Sequence, residues 1–192
     1  MRIAIGLLLL LLNVFLGYTL YKNIQEPIAF AEVKNARSRT VASKLQDIRT
    51  AQEMYRTITG EFAPNFDTLA QVLTIDSIPF ISTANDPNNP GEFIETKTYS
   101  MAIDSVRALN IDLDELRYVP FTDNSTEFAI DADTMTYQQT LVSVVQVGTR
   151  WKEFMGKYAD PKYSKYDNSY NPDHLLKFGD MNAPNVSGNW DQ

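Results

Sequence analysis

Eighteen consecutive residues near the start of the chain, Ile3 to Leu20 ("IAIGLLLLLLNVFLGYTL"), carry no charge. As a helix rising 1.5 Å per residue, this run covers about 27 Å, close to the thickness of a bilayer's hydrocarbon core. Tyr18 and Tyr21 stand where an interfacial aromatic belt would lie, and Lys22 follows. The spacing predicts a membrane anchor over residues 1–22. A cleaved signal peptide is the competing reading, since Ala29-Phe30-Ala31 has the small-x-small form. The stretch from Leu20 to Ala31 is long for the polar region before a cleavage site and contains Glu26 and Pro27, so retention is preferred. Arg2 and the amino terminus favour a cytoplasmic N-terminus and a periplasmic C-terminal part at the inner membrane, with Lys22, Lys34, Arg37 and Arg39 on the far side.

A helical pattern continues beyond the span. Phe30, Val33, Val41, Leu45, Ile48, Ala51, Tyr55 and Ile58 recur at three- and four-residue steps, the stripe of an amphipathic helix. Pro27 falls between span and stripe, where a kink or brief interruption is expected. The stretch "EVKNARSRT" is more polar, so residues 23–40 read as a helical spacer, with packing beginning near Val41. Leu45, Ile48 and Tyr55 are the expected contacts between this helix and a sheet. Gly60 suits the left-handed residue that ends a helix, and Asn65 can cap a second one carrying Phe66, Leu69, Val72 and Leu73 on one side.

Beyond a Pro/Asn/Gly loop at "STANDPNNPGE", strands are expected at "KTYSMAI", "RYVPF", "EFAID" and "TLVSVVQV". The last is apolar enough for a central strand covered on both faces, and Pro120 should end its strand or put it at an edge. Trp151, Phe154, Met155 and Tyr158 have helical spacing, limited by Gly156. From Asp160 onward the chain is rich in Asn, Asp, Tyr, Lys and Pro, and only Leu175, Leu176, Phe178 and Trp190 stand out as anchors. Residues 41–159 thus form an α+β domain, and 160–192 an extended segment packed on it.

The order of span, proline and long amphipathic helix, then Tyr55, Gly60, Phe62 and Pro64 and the helix "FDTLAQVL", resembles the type IV pilins and type II secretion pseudopilins. The likeness covers about residues 3–73. It implies a long helix packed on a small antiparallel sheet and subunits that polymerise through the membrane half of that helix. The family's leader pattern differs here: Gly6 is followed by Leu7, and the position of the family's glutamate is Leu11. The chain is also similar to single-pass envelope proteins of Bacteroidota.

Composition removes several kinds of chemistry. The chain has no cysteine, so neither a disulfide framework nor a thiolate site can form. Arg2 and Lys22 are the only charges before residue 23. Of 17 basic residues that leaves 15 against 24 acids in the remainder, a balance that repels nucleic acid. His174 is the single histidine, beside Asp173 but without a serine or threonine motif, and reads as a surface or packing residue.

Asp112, Asp114 and Glu115, and Asp131 with Asp133, alternate acids as a calcium loop does. They supply too few oxygens for one, and turn or cap roles are preferred, the first cluster being the better metal candidate. Tyr158, Tyr163, Tyr166 and Tyr170 fit either a ligand-stacking face or anchors for an irregular tail.

Asn13 is a mid-span amide, and bonding to a neighbouring helix there is worth about 0.6–2 kcal/mol. The expected function is that of a non-enzymatic structural or accessory subunit, without a cofactor. Its partners would be other membrane or periplasmic subunits, or its own copies, together with the lipid bilayer. A pseudopilin-like filament subunit and an anchored carbohydrate- or peptide-binding module are the alternatives.

Overall fold

The computed structural model describes residues 2–85 and 93–190. Its axis is one helix, α1 (Arg2–Thr59), 58 residues and so roughly 87 Å long. Leu7 to Leu12, Val14, Phe15, Leu16, Tyr18, Leu20 and Tyr21 along its first third are all exposed. The remainder carries the fold. Phe30, Val41, Leu45, Ile48 and Ala51 are essentially fully buried and Tyr55 nearly so, while Val33 and Ile58 pack half-buried at the edges of the core.

Two features terminate α1. Gly60 takes φ +89°, a value that costs a side-chain-bearing residue dearly, and its N–H reaches the Arg56 carbonyl at 2.8 Å. The returning chain is then fastened to the helix by Gln52, a fully buried amide. Its Nε2 donates to the Ala63 carbonyl at 3.0 Å, and its Oε1 accepts from the Ala63 N–H at 2.8 Å. Both halves of the amide are therefore satisfied in a place where an unpaired one would be costly. Asn65 caps α2 (Phe66–Ile75) by accepting from the Thr68 N–H at 2.8 Å, and Phe66, Leu69 and Leu73 are buried.

After α2 the chain forms an antiparallel ribbon, β1 (Ser77–Asn85) with β2 (Phe93–Met101), and then the short helix α3 (Ala102–Ala108). A second antiparallel sheet has the order β3 (Ala129–Tyr137), β4 (Thr140–Arg150), β5 (Leu175–Gly179). Helix α4 (Trp151–Met155) and two short 3-10 turns, 156–158 and 161–165, lie between β4 and β5. Helix α1 packs against α2, α4, β1 and β5, so the long helix does lie on a small antiparallel sheet. The chain is a mixed fold of helices and antiparallel sheets.

Several expectations change. Packing on α1 begins at Phe30, three turns before Val41, because the C-terminal segment folds back over this stretch. Pro27 does not interrupt the helix. Ser82–Asn85 belong to β1 rather than to a loop, while positions 86–92 of the expected loop lie outside the described residues. Ala102 and Ile103 start α3 instead of ending a strand, since buried Ala102 and Val106 give that segment a helical face. "RYVPF" is reduced to a single bridge between Tyr118 and Glu127, and the strand expected at "EFAID" starts at Ala129 and extends to Tyr137.

The C-terminal segment is more than a cover. Its residues 175–179 complete the second sheet and make β4 central, with Val144, Val145 and Val147 buried.

Candidate functional site

The stretch of α1 just beyond the apolar run is where residues 26–37 meet residues 154–170. Glu26, Phe30, Lys34 and Arg37 are spaced by four, four and three residues, which sets them on one side of the helix. The C-terminal segment closes on this side. Phe30 is 1% exposed and lies at the centre of four tyrosines. Tyr163 stacks on it at 5.6 Å between ring centroids and 7° between planes. Tyr158 and Tyr170 meet it edge-on at 5.6 and 5.1 Å, and Tyr166 is tilted at 6.2 Å. Both edge-on contacts have the geometry in which one ring's positive rim meets the other's negative face.

Local chemistry shapes the turns that deliver these rings. Asp160 caps the turn 161–165 by accepting from the Lys162 N–H at 2.8 Å, and Pro161 pre-sets its first residue. Buried Tyr170 donates its hydroxyl to the Tyr158 carbonyl at 2.7 Å, and burial raises its pKa to about 12. Ser164 Oγ donates to the Tyr170 carbonyl at 2.8 Å, closing the turn.

A polar rim surrounds this aromatic centre. The Tyr166 hydroxyl donates to Glu26 at 2.8 Å. Lys34 is paired with Asp167, and Ser169 Oγ donates to the same carboxylate at 2.6 Å. These hydrogen bonds, that from Lys34 first, hold the Asp167 pKa down at about 2. Arg37 donates to the Phe154 carbonyl, and its guanidinium stands 4.8 Å from the centre of the Phe121 ring. Within "EVKNARSRT", Arg37 thus grips α4 and Lys34 grips the tail. The four tyrosines serve as anchors for it, since Tyr158, Tyr163 and Tyr170 are all buried.

The other sequence candidates lie apart from this junction. Asn13 is exposed on the apolar stretch, and its Nδ2 donates to the Leu9 carbonyl one turn back, at 2.9 Å. Leu45, Ile48 and Tyr55 sit in the core, higher on the same helix. Asp112 Oδ1 accepts from the N–H groups of Asp114 and Glu115 at 3.0 and 3.3 Å, and Glu115 accepts from Asn124 at 3.2 Å, so this acidic run shapes a turn. Among the described residues no group of three or more His, Asp or Glu side chains is placed to hold a metal ion. Asp173 pairs with Lys152 at 2.8 Å, and among the described residues it makes no hydrogen bond to His174.

A cavity adjoins the junction on the side of Lys34. A groove of about 760 Å³ runs between α1 and the end of β5, with Ser38, Ala42 and Gln46 on its helical wall and Trp151, His174 and Trp190 opposite. Neither tryptophan was expected there, because their proximity depends on β5 pairing with β4. For the junction itself, the spacing of Glu26, Phe30, Lys34 and Arg37 was the available signal.

No protein-family model, curated protein or solved structure matches the chain.

Proposed function

We propose that the chain is a non-enzymatic, single-pass subunit of an envelope assembly, structural or accessory in role. It would be anchored in the inner membrane with its α+β part in the periplasm. The observation that carries this reading is the continuity of α1: one helix runs from Arg2 to Thr59, apolar and exposed at its start and built into the core from Phe30 onward. One helix near the N-terminus is long and apolar enough to cross a membrane. Cleavage after Ala31 would remove Phe30 and Glu26, around which the C-terminal segment is assembled, so the fold itself favours retention of the span.

A helix without a break sets the height and rotation of the head relative to the bilayer, as a subunit holding a fixed place in an assembly requires. The layout of a long helix on a small sheet agrees with a pilin-like design, and filament formation through α1 is the specific form of this proposal. Asn13 suits such contacts: its side-chain oxygen accepts no hydrogen bond among the described residues and is free to meet a donor on a neighbouring helix.

The native chain has no cysteine, so single cysteines placed at Leu10, Val14 or Gly17 report neighbours cleanly in native membranes. Oxidation is expected to give disulfide-linked dimers from one helical face. Asn13→Leu should weaken both the disulfide-linked dimer and co-purification of partners. A lone monomer band from all three positions would sink the assembly reading.

A second reading rests on the groove beside Trp151 and Trp190. Two indoles above a wall of serine and glutamine fit a carbohydrate or an extended peptide. In that case ligand-dependent quenching of tryptophan fluorescence should accompany a monomer band.

A further inference from the structure

The junction has a second side, which faces outward. Lys157, Lys162 and Lys165 are exposed, and each ammonium lies over the ring of the tyrosine that follows it, at 4.8, 5.0 and 4.5 Å from the ring centres. These tyrosines are the ones that grip Phe30, so the lysines are held in place by the same packing.

Their height on the helix follows from two contacts. The Tyr166 hydroxyl is bonded to Glu26, and Lys165 lies within electrostatic reach of the same carboxylate. Glu26 is six residues beyond Leu20, a rise of about 9 Å, whereas the headgroup layer extends about 5–8 Å beyond the hydrocarbon core. The turn carrying Tyr166 and Lys165 therefore stands at the upper edge of the headgroups if Ile3–Leu20 spans, while Tyr158 and Tyr163 meet Phe30 one helical turn higher, about 15 Å beyond Leu20.

Charge is also distributed unevenly. The part beyond residue 22 is acidic, with 24 acids against 17 basic residues in the whole chain. At the junction Lys34, Lys157, Lys162 and Lys165 lie among Glu26, Asp160 and Asp167, and Lys22 lines a hollow with Glu26. Asp160 is paired with Lys162 and Asp167 with Lys34. Lys22, Lys157 and Lys165 have no carboxylate within salt-bridge distance among the described residues.

We infer that the turns 156–166 form a collar that rests on anionic lipid headgroups at the foot of the span. Lysine supplies the charge attraction, and the tyrosine rings supply the amphipathic surface that interfacial residues use. The inference rests on reading Ile3–Leu20 as a span. It adds that the acidic head is seated on the bilayer by a local reversal of charge.

The test uses the full chain in vesicles of phosphatidylcholine alone and in vesicles that also contain phosphatidylglycerol. Amine-reactive labelling followed by peptide mass analysis reads each lysine, with exposed Lys97 on β2 as the internal reference. Labelling of Lys165 relative to Lys97 is expected to fall by about fivefold in the anionic vesicles, the equivalent of roughly 1 kcal/mol per lysine near such a surface, and that of Lys157, set higher, to fall less. High salt should reverse the change by screening. A K157Q/K165Q variant should insert equally well yet lose the lipid-dependent slowing of amide exchange across 156–166.

Equal labelling in both vesicles, with the chain resistant to alkaline carbonate extraction, overturns the collar and leaves the anchor standing. Release of the chain by carbonate overturns both.

Discussion

Phe30 shows how a residue's role depends on partners that lie far away in sequence. It stands in the helical stripe, yet the polar stretch that follows it set the expected start of packing near Val41, and in the fold Phe30 is core. Its rings of contact come from residues at least 128 positions later, which no local pattern connects to it. The same holds for Lys34, which in isolation is one cation of a solvated helix face. Its partner Asp167 has a pKa lowered from 3.8 to about 2, so the pair stabilises the fold only where Asp167 is ionised.

The direction follows from linkage. The folded value lies below that of the unfolded chain, so the contribution is complete above about pH 4 and is lost as pH falls towards 2. With the carboxylate side chain about a third exposed, solvent screening reduces the expected contribution to about 1 kcal/mol. Denaturant titrations of the full chain in detergent at pH 6 and pH 2.5 measure it. Asp167→Asn should lower stability at the higher pH by about that amount and flatten this part of the pH dependence. An unchanged pH profile in the variant would show that Lys34 holds the tail without its charge.

Elements were legible in proportion to how much of their burial is encoded locally. Helices α1 and α2 carry their stripe, terminator and cap within their own sequences, and both lie where the pattern sets them. Strand β4 is apolar enough to declare itself as central. Strand β5 is not: five residues with Leu175 at its surface end look like a tail with anchors, although Leu176 and Phe178 on either side of Lys177 do alternate. Its identity comes from pairing with β4, a long-range contact.

The close of that pairing is Gly179, at φ +78°, where a Cβ would stand 2.0 Å from the Val145 carbonyl oxygen. Gly179→Ala therefore meets both backbone strain and a collision with backbone that cannot move aside. A loss of about 2–4 kcal/mol is expected, measured as a lowered denaturation midpoint together with faster amide exchange at 175–179. Because β5 also supports the groove, the Trp151 and Trp190 fluorescence should shift in the same variant. A stability within about 0.5 kcal/mol of the parent, the range of ordinary surface changes, would mean that β5 is not locked to β4 as described.

At the scale of the whole molecule, the central question is why α1 stays one helix through Pro27. A proline inside a helix costs about 3 kcal/mol or more, because it removes a hydrogen bond and crowds the preceding turn. Here the positions from Glu26 onward are held from outside. Glu26 is tied to Tyr166, Phe30 is enclosed by four rings, and Lys34 and Arg37 are fastened to the tail and to α4. The C-terminal segment thus acts as a splint on α1 from Glu26 onward, beginning one residue before the proline. No sequence reading of residues 23–40 alone could show this, because the splint is supplied by residues 154–170.

On the proposed reading, splinting would make the distance from span to collar a fixed quantity, and changing it gives a clear expectation. Eleven alanines inserted after Lys22 extend the helix by about 16 Å with little net rotation, since eleven residues are close to three whole turns. That lift exceeds the ~8–10 Å over which charges act at physiological salt, so Lys157 and Lys165 should label in anionic vesicles as they do in neutral ones. An insertion of Gly and Ser of the same length lets the head fold back onto the surface, and part of the protection should return. Identical protection in the native chain and the alanine variant would mean that the helix bends freely near Pro27, and that the head finds the membrane without being held to a height.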